Sequence, residues 1–301
     1  MTERLIANKI IGVLWTYNSD VILLAKVIKC LMKSVNTAIV VDNGSRNFTK
    51  IEKVLKQFTN IVLIRLRKNT GVHALNIGIA EAIKMRAQWI LLLDDDTLIN
   101  PRILKESLEL YTSLPENIRS RIATISLMEG IPSKWLQCRK KLIAYYGPWM
   151  FSGTLIKAEL VSRYNILIRE SFFLDQADFD FFWKIRNLGY YTTLYVDEGI
   201  KHRLGKPFRG PRIKIPLIGI LEINSYENPL RYYYIIRNST ILLLEKKLSP
   251  LCYMMQLIHF FIPLAFVDGL KKALRTLVLG LAHGIFKIEG IIDPDIFEDK
   301  D

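Results

Sequence analysis

Between Lys9 and Leu127 short runs rich in β-branched and aliphatic residues alternate with stretches of helical periodicity, and this alternation restricts the fold more than any other feature of the chain. Strands that alternate with helices pair in parallel, because each helix returns the chain to the edge where the next strand starts, and the sheet then has helices over its faces. The expected strands are Ile10–Thr16, Ala38–Asp42, Ile61–Leu66, Trp89–Asp94 and Arg121–Leu127. The expected helices are Asp20–Ser34, Lys50–Phe58, Val72–Arg86 and Pro101–Leu114, the last opened by an Asn100-Pro101 cap. The fold class is therefore α/β, with a mostly parallel sheet flanked by helices. Such sheets bind ligands beyond the carboxyl ends of their strands.

Four of the five strands run into polar residues at that edge: Thr16-Tyr17-Asn18, Asp42-Asn43-Gly44-Ser45, Lys68-Asn69-Thr70-Gly71 and Asp94-Asp95-Asp96-Thr97. Asn43-Gly44 and Thr70-Gly71 alone read equally well as chain-reversing turns. Their common edge favours a ligand site. Three adjacent carboxylates after the apolar run Leu91–Leu93 repel one another, and a fold tolerates that when a hard cation neutralises them. Mg²⁺ or Mn²⁺ held by one or two carboxylates, with diphosphate oxygens, suits this arrangement, against the alternative of a solvated acidic turn.

A second acidic cluster is Asp175-Gln176-Ala177-Asp178-Phe179-Asp180. If Asp178 begins the helix that runs to Gly189, the positive helix terminus keeps its carboxylate ionised, as a general base must be. Taken singly, each of the three acids reads more readily as a helix cap than as a base. His202 stands between Lys201 and Arg203 and by itself is an ordinary surface histidine.

Taken together, Thr16-Tyr17-Asn18, Val41–Ser45, Asn69–Val72 with Ala74, Asn76 and Gly78, Asp94–Asp96, Phe151–Leu155, the acidic cluster and Arg231–Asn238 resemble glycosyltransferase family 2 of the GT-A (Rossmann-like) fold. Within it the chain is most similar to bacterial rhamnosyltransferases and their galactofuranosyltransferase relatives, over about residues 8–285. The resemblance implies that Asp42 meets the nucleobase and Asp94 the ribose, with Asp95 beside it. It implies that Thr16, Asn18, Asn69 and Asn76 line the nucleotide pocket, and that Asp96 and His202 hold the metal. Asp178 would be the catalytic base, supported by Asp180, in an inverting transfer of L-rhamnose from dTDP-L-rhamnose to a lipid-linked glycan of a bacterial surface polysaccharide such as O-antigen or capsule. A UDP-galactofuranose donor is the alternative. Asp180 stands where Glu is frequent, and Leu174 and Gln176 depart from the family pattern.

The 301 residues carry 42 Lys+Arg against 29 Asp+Glu, a net charge of +13 that seeks anionic partners. Ten cations and three acids fall in residues 199–247, so that segment supplies +7 of it. No helix-turn-helix, RNP or zinc signature accompanies the charge, so nucleic acid is not the expected partner. Cys30, Cys138 and Cys252 stand too far apart for metal or redox pairs, and no export signal opens the chain, so a reducing, cytoplasmic setting is expected. Residues 251–267 are apolar but marginal in length for a membrane span. The next stretch places Leu270, Leu274, Leu277 and Leu281 on one helical face, with Lys271, Lys272 and Arg275 elsewhere. Division into a catalytic domain, 1–227 (nucleotide-sugar half 8–127, acceptor half 128–227), and a helical region, 228–301, is expected. That helical region is read as peripheral on the anionic inner face of the cell membrane, with ordinary core helices or a homo-oligomer interface as the other readings.

Overall fold

A computed structural model describes residues 9–129, 141–147, 149–201, 206–207, 212–215, 219–222 and 225–297. It divides into two compact units, Met1–Ile168 with Phe181–Arg203, and Arg169–Asp180 with Leu204–Asp301.

In chain order the first unit contains β1 (Ile10–Thr16), α1 (Val21–Leu31), β2 (Thr37–Asp42), α2 (Phe48–Leu55), β3 (Ile61–Arg65), α3 (His73–Lys84), β4 (Trp89–Asp94) and β5 (Leu98–Ile99). There follow α4 (Pro101–Ser113), α5 (Glu116–Arg119), β6 (Ile122–Met128), β7 (Leu142–Ala144), β8 (Thr154–Lys157) and α6 (Ala158–Tyr164). Helix α7 (Ala177–Asn187) crosses the division between the units, and β9 (Tyr191–Glu198) and β10 (Ile200–Lys201) complete the first. Eight strands form one sheet in the order β3-β2-β1-β4-β8-β6-β9-β7. Strands β1 to β4 pair in parallel, whereas β8 runs antiparallel between β4 and β6. All five expected strands and all four expected helices are present, with ends shifted by a few residues.

Strand β1 is buried at nearly every position because helices cover both faces. On one side Leu14, Val40, Leu91 and Leu93 pack with Leu24, Val27 and Ile28 of α1 and Leu104 of α4. Each such side chain contributes about 1.5–3 kcal/mol by leaving water. On the other side α3 lies close to β1 through Gly78, where an added Cβ would stand 2.4 Å from a methyl of Val13. Asp20 and Asn100 cap α1 and α4 through side-chain oxygens that accept from Ile22 N and Arg102 N.

The second unit holds the short strand pairs β11 (Lys206–Pro207) with β14 (Ser225–Tyr226) and β12 (Arg212–Ile215) with β13 (Gly219–Glu222), then α8 (Pro229–Leu244), α9 (Pro250–Val267) and α10 (Leu270–Ile285). Asn228 and Ser249, each followed by proline, cap α8 and α9. Helix α8 is buried from Tyr232 to Leu242. Helix α10 meets it through small residues: a Cβ on Gly280 would stand 2.8 Å from Ile236, and one on Gly284 2.5 Å from Thr240. The sequence periodicity marks the leucines of α10 as one face. The structure turns that face outward and packs Ala273, Thr276, Gly280 and Gly284 inward, because only small side chains allow this close approach.

Candidate active site

In the first unit, the carboxyl ends of β1, β2 and β4 lie side by side: Thr16 is in register with Asp42, and Trp15 with Asp94. Asp42 is fully buried, and its carboxylate accepts from Thr16 Oγ1 at 3.2 Å and from Ser45 N at 3.1 Å. Ser45 Oγ in turn accepts from Asn18 N, and Asn18 Oδ1 accepts from Arg46 N, both at 2.8 Å. Buried Asn43 joins the next loop by donating to Asn69 Oδ1 at 2.9 Å and to Gly71 O at 3.0 Å, while its own Oδ1 accepts from Thr70 N at 2.8 Å. Gly44 has φ +79°, and an added Cβ would stand 2.7 Å from the Lys68 carbonyl carbon, so the two loops pass with no room for a side chain. Thr16, Asn18, Asp42 and Asn69 thus belong to one bonded edge. Asn76 lies on the buried side of α3, where its amide exchanges hydrogen bonds with the backbone of Ile168 at 2.9 and 3.0 Å.

The three consecutive carboxylates end β4. Trp15 Nε1 donates to Asp94 Oδ1 at 3.0 Å, and Asp94 N donates to Ser152 Oγ at 3.0 Å, fixing the first of them. Ser19 donates to Asp95. Burial pushes the Asp95 carboxyl up to about 6; the Ser19 hydroxyl opposes this rise, and the charges of Asp96 and Asp94 add to it. Asp96 is half-buried beside them. Carboxylates are the oxygen donors that Mg²⁺ or Mn²⁺ takes, and one or two suffice when diphosphate completes the shell. Among the described residues no group of three or more His, Cys, Asp or Glu forms a protein cage for a metal. Asp94, Asp95 and Asp96 offer carboxylate oxygens of the kind such a shared cation takes. His202, expected as a second metal ligand, lies outside the described residues.

The acidic cluster is built differently. Before α7 the turn holds Phe173, Asp175 and Gln176 at φ 61°, 53° and 64°, positive values in three residues that are not glycine. Each costs on the order of 1–2 kcal/mol, so the turn persists only because its surroundings hold it. Helix α8 supplies that hold within the second unit. The amide of fully buried Asn238 donates to the carbonyls of Phe172, Leu174 and Asp175 at 3.1, 2.7 and 2.9 Å. Arg237, also buried, donates to Phe172 O at 3.0 Å and to Gly290 O at 2.6 Å. Arg231 grips the Asp175 carboxylate through Nε and Nη2 at 3.1–3.2 Å. The signature Arg231–Asn238 is thus a clamp on the acidic turn.

Asp175 and Asp180 have cationic partners in that unit. Asp175 is held by Arg231, and fully buried Asp180 accepts from Lys247 Nζ at 2.6 Å. Lys247 also meets Glu245 at 2.8 Å, and Arg169 joins Glu245 at 2.9 Å and pairs with Glu289. Burial pulls the Lys247 amine down, but hydrogen bonds to Asp180 and Glu245 and their charges outweigh it, so the amine stays protonated. Asp178 is half-buried in the first turn of α7 and accepts from Phe179 N at 2.9 Å. The helix starts at Ala177 and ends at Asn187, with Gly189 beyond it at φ +83°.

Sequence reading missed Trp15, Ser19 and Lys247. Trp15 looks like one more core residue of β1, and Lys247 lies 67 positions from the acid it holds, with no local pattern to reveal the link. Arg231 and Asn238 were visible as part of a signature, but their attachment to the turn was not.

Residues 13–125 match the model of Glycosyl transferase family 2. A dTDP-rhamnosyl transferase, RfbF, of Shigella flexneri is 27% identical over 307 residues, spanning 94% of this chain and 97% of that protein. Residues 1–349 of S. aureus TarS in complex with UDP-GlcNAc share the fold with TM-score 0.54 at 15% identity, over 92% of this chain and 80% of that one. A Pyrobaculum calidifontis mannosyltransferase, PcManGT, in complex with GDP-Man and Mn²⁺ gives 0.52 at 14% identity, over 92% and 75%. The parallel sheet, its polar carboxyl edge and these likenesses agree: residues 13–125 form a glycosyl transferase family 2 domain, the sheet has the GT-A fold, and the chain is a glycosyltransferase.

Proposed function

We propose that the enzyme transfers L-rhamnose from dTDP-L-rhamnose, with inversion, to a hydroxyl of a lipid-linked glycan during assembly of a bacterial surface polysaccharide such as O-antigen or capsule. The observation that carries the choice of donor is the likeness to a dTDP-rhamnosyl transferase along nearly the full length of both chains. A nucleotide-sugar donor is further supported by fold neighbours solved with UDP-GlcNAc and with GDP-Man. We read residues 1–227 as the catalytic part and 228–301 as a region that meets the membrane.

In this reading Asp42 accepts from the nucleobase, Asp94 meets the ribose with Asp95 alongside, and Thr16, Asn18, Asn69 and Asn76 shape the pocket. A divalent cation at Asp96 and His202 would neutralise the leaving diphosphate when bound. Asp178 takes the acceptor hydroxyl proton on its carboxylate as the hydroxyl oxygen attacks the anomeric carbon from the face opposite the diphosphate. The new glycosidic bond forms as the carbon–oxygen bond to the diphosphate breaks, and the configuration inverts. Asp178 stands in the first turn of α7, at the positive end of the helix, where a carboxylate is favoured. Asp180, neutralised by Lys247, acts as a positioning residue for the first turn of α7.

Release of free nucleoside diphosphate by the purified full chain, with dTDP-rhamnose, UDP-galactofuranose and UDP-hexoses compared against a lipid-linked acceptor extract, tests the donor. Turnover confined to dTDP-rhamnose is expected. Turnover with UDP-galactofuranose alone would move the enzyme to the galactofuranosyltransferases.

A further inference from the structure

Twelve of the twenty large hydrophobic side chains exposed among the described residues fall between Leu251 and Ile291. They are ordered along the helices. On α9, Leu251, Met254, Ile258 and Phe266 recur at spacings of three, four and eight, a single helical stripe. On α10, Leu270, Leu274, Val278 and Ile285 form another, continued by Phe286, which is 75% exposed. The opposite sides of both helices are already used. Tyr253, Pro263 and Leu264 of α9 are buried, and α10 meets α8 through Ala273, Thr276, Gly280 and Gly284. Helix α9 is long and apolar enough to cross a membrane, yet only 17% of it is buried. Pro263 sits in its buried face, which ties the helix to α8.

A soluble protein rarely leaves ordered apolar stripes of this size in water. Charge decides what covers them. Lys271, Arg275 and Lys287 stand exposed beside the α10 stripe, and Lys246 is exposed just before α9. Residues 246–291 carry six cations (Lys246, Lys247, Lys271, Lys272, Arg275, Lys287) against Asp268 and Glu289, a net +4. A second copy of the chain docked stripe to stripe would bring these cations against their own images. An anionic surface pairs with them while its acyl layer takes up the leucines.

We propose that the outward stripes of α9 and α10 are a docking face for an anionic lipid bilayer, on which both helices lie flat with α8 behind them. Leu251, Met254, Ile258, Phe266, Val278 and Phe286 enter the acyl boundary, and the cations sit at headgroup level. This deepens the reading that the acceptor is lipid-linked, because it names the surface that brings the enzyme to such an acceptor. The face itself depends on neither the donor nor the acceptor.

Flotation of the purified full chain with vesicles of phosphatidylcholine alone, and of phosphatidylcholine containing about a third phosphatidylglycerol, is the test. Binding to the anionic vesicles and little to the neutral ones is expected. Lys271→Gln and Arg275→Gln should each weaken partition about fivefold, the effect of one cation at a charged surface, and Val278→Glu should abolish it. Size-exclusion with light scattering follows the same proteins, and stabilisation by dTDP monitors the nucleotide edge separately. A monomer that floats only with anionic vesicles supports the proposal. Absence of flotation by a protein that still answers dTDP overturns it, as does a dimer that Val278→Glu splits without any vesicle binding. Flotation without a dTDP response would leave the docking face standing and remove the proposed function.

Discussion

Asn238→Ala removes the centre of the clamp on the acidic turn. Asn238 is fully buried, its amide protons serve three carbonyls at 2.7–3.1 Å, and its Oδ1 accepts from Arg237 Nε at 2.9 Å. Truncation leaves the Leu174 and Asp175 carbonyls and the Arg237 Nε short of partners, while Phe172 O keeps Arg237 Nη2, and each buried orphan costs about 1–3 kcal/mol. A water entering the vacated space offsets part of that, so the total falls at about 2–5 kcal/mol. The strain at Phe173, Asp175 and Gln176 is then no longer held, and the turn relaxes together with the start of α7. Urea unfolding followed by circular dichroism measures the stability loss, calorimetric titration measures dTDP affinity, and diphosphate release measures turnover. Stability should fall by the stated amount and turnover by at least tenfold, while dTDP affinity stays within about twofold, because the proposed nucleotide edge is built from β1, β2 and β4. A loss below about 0.5 kcal/mol with unchanged turnover would refute the clamp.

Two further outcomes follow from single positions. Gly44→Ala forces a left-handed residue against the Lys68 backbone, where its Cβ would stand at 2.7 Å; it should cost roughly 2–4 kcal/mol in unfolding experiments and weaken dTDP binding, since Asp42 lies two residues away. Burial lowers the Lys157 amine to about 8, where it donates to Arg119 O at 2.8 Å. Because the unfolded amine titrates near 10.5, the folded state binds fewer protons between pH 8 and 10.5, and the penalty of burying the charge fades as pH rises through that window. The stability of wild type relative to Lys157→Met should therefore rise between pH 7 and pH 10, and a change of opposite sign contradicts the burial of a charged Lys157.

The sequence revealed the sheet well where strands are buried on both faces. Strands β1 and β4 read as continuous apolar runs, and their ends agree with expectation because Thr16 and Asp94 break the apolar pattern at the edge. Beyond Met128 the signal faded, since β7 and β8 have three and four residues and too few positions to show a period. At helix ends the error had a local cause: Asp20 was included in α1 although it is the cap. Within the site, Asp94–Asp96 announced themselves by repulsion between like charges, which sequence displays directly. The pairing of Asp180 with Lys247 could not be read, because tertiary packing of α8 creates it and neither residue has a distinctive neighbourhood. For α10 the periodicity marked the leucine face, and Gly280 and Gly284, which carry no such signal, decide which side meets α8.

In the proposed transfer Asp178, in the first turn of α7, abstracts the acceptor proton while the donor binds independently of it. Asp178→Asn removes the base while preserving size, so one pair of titrations decides the matter: dTDP affinity and acceptor-dependent dTDP release from dTDP-rhamnose, measured on the same preparation. Affinity within about twofold of wild type and release reduced by about 10²-fold or more are expected. Release at near wild-type rate would contradict it.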